Sequence, residues 1–273
     1  MYLLKLEWLK MRDYTVFRVM SVLYLILLPG FFLAGWSALP DTAATGGPAP
    51  GLSKEIIYGF PDIFKYLGYA GNWMVFLFLG FIAVISISNE FSNRTLRQNI
   101  ITGLSRTEYF LSKLYFILAV SFVATIWYAG CAMISGFLVT EKIYTSAVFK
   151  YIDYVPRYFL MCVGYMSFGA LLGVLIRKTG IALFLYIAYG MFIEVFIRWV
   201  VHLNIVQHES MTWYPLNAFE DLVPLPFLEM INEFTENAGF NIVLTPPWAI
   251  ALSLFYMGLF FFFSWRRLNT ADL

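Results

Sequence analysis

Six predominantly apolar segments, each about 20 residues long, dominate the sequence, at residues 16–38, 67–89, 113–138, 158–177, 180–202 and 244–265. A helix needs about 20 such residues to cross the hydrocarbon core of a bilayer. The chain therefore reads as an all-α membrane protein with six transmembrane helices. Composition agrees, because only 13% of residues are charged, against about 25% in a soluble domain. The fifth segment is the least uniform, since Glu194 and Arg198 interrupt it. In this reading residues 1–273 form a single transmembrane domain. Outside the bilayer lie a short helix at 1–15, an insert at 90–112 and a long loop at 203–243.

An even number of spans places both termini on one side, and the basic residues choose the side. Lys5, Lys10, Arg12, Arg18, Arg94, Arg97, Arg106, Lys113, Arg177, Lys178, Arg266 and Arg267 flank the spans on one side. Lys54, Lys65, Lys142, Lys150 and Arg157 flank them on the other. The first side is expected to be cytoplasmic, which makes the protein a multi-pass component of a plasma or inner membrane. The early basic residues also suit a signal peptide, but the uncharged run from Val19 is too long for a signal core and ends in no small-x-small cleavage site. It reads as a retained span.

Before the first span, Met1, Leu4, Trp8 and Met11 recur at helical spacing. They fit either a helix lying in the headgroup plane or an extension of span one, with Leu3, Leu6 and Leu9 off the stripe. Residues 40–51 are rich in proline, glycine and alanine and read as a flexible connector. Residues 203–243 carry six acids and no lysine or arginine, with Phe219, Leu222, Val223, Phe227, Met230, Ile231 and Phe234 among them. That mixture predicts an amphipathic helix on the outer face, as a solvated cap or as a gate. Gly169 and Gly173 form a small-xxx-small surface suited to close helix packing, while Arg177 to Gly180 makes spans four and five a tight antiparallel pair.

The insert is longer than a hairpin turn requires. Ser105-Arg106-Thr107-Glu108 fits a capping box, in which the serine oxygen takes a backbone N–H and the glutamate reaches back. It predicts a fresh helix start feeding span three, with Gly103 at the break in chain direction. Upstream, Thr95 to Ile101 reads as a separate short helix with Leu96 and Ile100 on one face. Arg94, Arg97 and Arg106 of the insert suit anionic lipid or a protein partner.

Glu90, then Thr95-Leu96, then Ser105-Arg106 with Glu108, and Lys113 opening the next span, together resemble the coupling region of type-2 ATP-binding-cassette permeases. Such subunits show an acid closing span two, a Gly-Thr-Leu-Glu-like step, a Ser-Arg-x-Glu step and a Gly-Lys before span three. Here Arg94 stands in place of the glycine, Arg97 of the acid and Ser112 of the glycine before the lysine. The resemblance implies a permease domain whose first helix is interfacial and whose insert sits in a cleft of a separate ATPase subunit. Glu90, Thr95, Leu96, Arg97, Ser105, Arg106 and Glu108 would carry that coupling. ATP and magnesium would be bound by the partner and no cofactor by this chain. The implied assembly pairs two permeases, identical or paralogous, among membrane lipids, usually for export of a substrate.

A different class of function is a non-transporting scaffold whose basic insert recruits a cytoplasmic protein or anionic lipid. A third, an intramembrane enzyme, has little in its favour: Gly164-Tyr165-Met166-Ser167-Phe168-Gly169 has one residue too many for a nucleophile elbow. No Gly-Lys dipeptide occurs, so no phosphate-binding loop of the usual form is present. The net charge of +1 gives no whole-chain sign of a nucleic-acid partner. Cys131 and Cys162 fall in apolar runs and read as packing residues. His202 and His208 are six apart, which does not suit a zinc helix motif.

Glu194 and Arg198 are four apart, on one face of an α-helix. A charge near the bilayer centre costs about 2.5–3.5 kcal/mol. The two are expected either to satisfy each other near the outer interface or to line a translocation path.

Overall fold

The computed structural model describes residues 2–38, 53–93, 95–226 and 242–270. Its described residues form helices and connecting turns, with no strand. Six helices are long and apolar enough to cross a membrane: Thr15–Ala34, Ile63–Ser92, Arg106–Val139, Thr145–Leu175, Thr179–Val206 and Pro246–Thr270. We call them spans one to six. The first helix, Tyr2–Arg12, precedes span one, and the insert helix, Thr95–Ile101, lies between spans two and three. The connector at 40–51 and Arg94 lie outside the described residues, as does most of the amphipathic segment expected in the outer loop.

Spans two and four form the centre. About 67% and 72% of their apolar windows are buried, against 17% for spans one and five. Glycine makes that centre compact. A Cβ on Gly169 would lie 2.7 Å from the Gly80 carbonyl oxygen and one on Gly173 3.0 Å from that of Val84. The small-residue face of span four thus packs on span two, and not on its hairpin partner, span five. Ser167, beside this face, donates to its own helix at the Gly164 carbonyl. Cys162 is buried and Cys131 half-buried, and both are free thiols.

Phenols add polar ties in the apolar core, where an unmet hydrogen-bonding group costs most. The Tyr24 hydroxyl lies 2.9 Å from that of Tyr158 and 3.1 Å from the Ala124 carbonyl oxygen. The Tyr128 and Tyr158 rings stack with centroids 4.1 Å apart. Spans one, three and four are joined by these groups.

Span two runs to Ser92, so Glu90 stands on its last turn and not in the insert proper. The helix of span four starts at Tyr154, earlier than the hydropathy predicts, because Arg157 is paired with Asp153 and stacked 3.9 Å from the Tyr154 ring centre. The first helix ends before Asp13 and Tyr14, so it is not a straight extension of span one.

Candidate functional site

The first helix turns an acid inward. Glu7 is fully buried and Met11 nearly so, whereas Trp8, on the expected apolar stripe, is 52% exposed. Glu7 meets Lys113, two turns into span three. The Lys113 ammonium lies 2.6 Å from Glu7 Oε2, 2.6 Å from Glu90 Oε1 and 2.9 Å from the Ser86 carbonyl oxygen. Ser112 donates to Glu7 Oε1 at 3.1 Å. Lys10 reaches both carboxylates, at 3.2 and 3.4 Å. Two acids and two lysines thus form a neutral cluster joining the first helix to spans two and three. Burial pushes the Glu7 carboxyl up, but Lys113 and Lys10 outweigh it, and the net shift is below the ordinary value.

The insert hangs from this cluster. Asn99 donates to Glu90 Oε2 at 3.3 Å, and the Thr95 hydroxyl reaches the Glu90 carbonyl oxygen at 3.4 Å. Leu96 is buried beneath the helix and Ile100 is half-buried, the apolar face expected from their spacing. Gly103 has φ +109°, a backbone conformation that favours glycine. The capping box follows: Ser105 Oγ accepts from the Glu108 N–H at 3.1 Å, and Glu108 accepts from the Ser105 N–H at 2.8 Å.

Arg106 turns away from the insert surface. Its guanidinium donates to the carbonyl oxygens of Leu268 and Asn269, at 3.1 and 2.6 Å, where span six ends. A cation at a helix C-terminus meets the negative end of the helix dipole. Of the seven residues assigned to coupling, Arg97 alone combines an exposed side chain with no side-chain bond or ion pair among the described residues. Ile101 lies one turn on, on the same face, and is 75% exposed. Sequence reasoning passed over Glu7 and Ile101. The signal for Glu7 was its spacing of three from Lys10; for Ile101 it was its step of four from Arg97.

A recess of about 370 Å³ opens beside the insert helix, walled by Lys10, Tyr14, Asn89, Glu90, Gln98 and Asn99. Asn89 donates to the Tyr14 hydroxyl at 2.7 Å and accepts from Thr179 at 2.8 Å. Ser92 donates to the Arg177 carbonyl oxygen at 2.8 Å. The end of span two is thereby tied to the turn between spans four and five.

At the opposite end, Glu194 and Arg198 are both buried but do not form an ion pair among the described residues. Glu194 accepts from the backbone N–H groups of Leu216 and Asn217, at 3.2 and 2.7 Å, in the first turn of the short helix Pro215–Glu220. Arg198 donates to the Met211 carbonyl oxygen at 3.2 Å. Expected either to pair with each other or to line a translocation path, they do not pair and instead hold residues 211–217 to span five, which widens to π-helical turns at Tyr189–Ile193 and Ile197–Val206.

Asp221 accepts from Asn217 and from the Leu244 N–H, both at 2.9 Å, and burial pushes its carboxyl up to about 7. Phe219, Leu222 and Val223, in the segment after span five, are completely buried. His202 lies 3.0 Å from the Ser210 hydroxyl and 3.3 Å from that of Tyr214, and His208 accepts from the Ser210 N–H. A cavity of about 50 Å³ lies between Asn72, Tyr165, Glu194, Arg198, Asn217 and Glu220. Ligand pockets of drug size run from about 300 Å³ upward, so this one is water-sized. No known protein-family model matches the chain, and no curated protein is significantly similar to it.

Proposed function

We propose that this chain is the membrane-spanning subunit of an ATP-driven transporter of the ATP-binding-cassette type, driven by a separate ATPase bound at the insert. The observation that carries the reading is the mounting of the insert helix. Its inner face is fixed through Leu96 and Asn99, while Arg97 and Ile101 project outward. A force on that outer face passes through Glu90 and Lys113 into spans two and three and through Glu7 into the first helix. The local resemblance to permease coupling regions supports the same role. ATP and magnesium would bind in the partner. A second permease, identical or paralogous, would cover spans one and five, the least buried spans. The insert side would face the cytoplasm, with export as the direction.

The test is co-purification of detergent-solubilised protein with an ATPase from its own membrane. Ile101→Asp and Arg97→Glu are the informative variants, because both change the outer face alone. Arg106→Glu would also uncap span six. We expect an ATPase to accompany the unaltered chain and its yield to fall at least tenfold in the Ile101→Asp, Arg97→Glu double variant, at about 1.4 kcal/mol per tenfold. Recovery of a partner without ATPase activity would transfer the case to a recruiting scaffold.

A further inference from the structure

A groove of about 360 Å³ lies at the insert end between spans four and six, lined by Leu171, Leu175, Phe263, Arg266, Arg267 and Thr270. Phe263, Arg266, Arg267 and Thr270 follow the i, i+3, i+4, i+7 spacing, so they share one face of span six. Leu171 and Leu175, one turn apart on span four, form the facing wall. The groove thus has two chemistries in sequence along its length. Toward the bilayer centre it is apolar, with Phe263 47% and Leu175 48% exposed. At its membrane-boundary end are two guanidinium groups and a hydroxyl. Arg266 and Arg267 are exposed, and among the described residues neither side chain has an ion-pair or hydrogen-bonding partner.

We infer that this groove binds one anionic phospholipid, with an acyl chain along Leu171, Leu175 and Phe263 and the phosphate between Arg266 and Arg267. Adjacent guanidiniums present several donors to phosphate oxygens, a match that a zwitterionic headgroup weakens with its own cation. Basic groups at the membrane surface attract anionic lipid, each contributing roughly a fivefold gain. A free phosphate would use the two arginines and leave the apolar wall idle, so the groove as a whole fits a lipid. The site is separate from the insert surface and does not depend on the transport reading.

Native mass spectrometry of the full chain released from detergent micelles tests it, with dioleoyl phosphatidylglycerol and dioleoyl phosphatidylcholine as probes. The chain should retain the anionic lipid in preference to the zwitterionic one. Arg266→Gln with Arg267→Gln should weaken anionic-lipid retention roughly 30-fold, whereas the double lysine variant should keep most of it. Leu171→Trp, which fills the apolar wall without touching charge, should displace the lipid at unchanged thermal stability. Equal retention of the two lipids would overturn the assignment. So would full retention by either the glutamine or the tryptophan variant, or displacement of the lipid by millimolar inorganic phosphate.

Discussion

At the insert end Lys113 lies 2.6 Å from each of two carboxylates, whereas at the opposite end Glu194 is held by two backbone N–H groups and Asp221 by one N–H and one amide. Both ends bury acids, but among the described residues only the first neutralises them by direct ion pairs. Buried pairs lose much of their attraction to desolvation, yet removing one partner strands the other charge. Backbone donors satisfy a carboxylate without a counter-charge, so its ionised form stays costly. The first end is therefore a latch sensitive to substitution, and the second a joint sensitive to protonation.

The largest effect should come from breaking the latch. Lys113→Met should cost about 3–5 kcal/mol, read as a lower melting temperature in detergent and protease cleavage after the first helix. Adding Glu7→Gln and Glu90→Gln should recover much of that loss, because the stranded charges are then gone. Equal instability of the single and triple variants would show that the lysine matters by packing.

Protonation separates the two ends more finely. Glu7 has a native pKa below its ordinary 4.5, so its stabilising share is complete above that value and is lost as pH falls further. Asp221 has a native value of about 7 against an ordinary 3.8. Its acid form is favoured by the fold, so its own stabilising share is full below 3.8 and is lost as pH rises through about 7. Asp221→Asn, whose amide oxygen can keep both donors, should melt higher than the unaltered chain at pH 8, by roughly 1 kcal/mol or more, and match it at pH 4. A gap that is constant with pH would remove the titration account.

The smallest expected effect concerns Arg106. Arg106→Gln should cost about 0.5–1 kcal/mol as a lost helix-end cation, while Arg97→Gln, on the exposed face, should leave melting unchanged. Hydrogen exchange at the end of span six should rise in the first variant alone.

The spans were legible because hydropathy averaged over a span length needs no knowledge of neighbours. The capping box at Ser105 and the short helix from Thr95 were equally legible, being local chemistry. What the sequence hid was which face of a membrane-spanning helix meets protein. In a span apolar on every side, such as span one with Val19, Val22 and Ile26 exposed and Leu28 buried, periodicity does not separate lipid from core. The Gly169 and Gly173 surface could be seen, but its partner on span two could not. Glu194 and Arg198 read as a pair from their spacing of four, yet backbone N–H groups of Leu216 and Asn217 satisfied the acid and the Met211 carbonyl oxygen the arginine. Glu7 was hidden for the same reason: its partner is 106 positions away.

Arg106 holds the end of a helix 162 residues further along the chain. During synthesis the insert is made long before its last ligand exists, so the ribosome must add four more spans' worth of chain before the segment reaches its final form. A chain ended before span six would carry an insert bonded to Glu90 yet lack the contact between Arg106 and the Leu268 and Asn269 carbonyl oxygens.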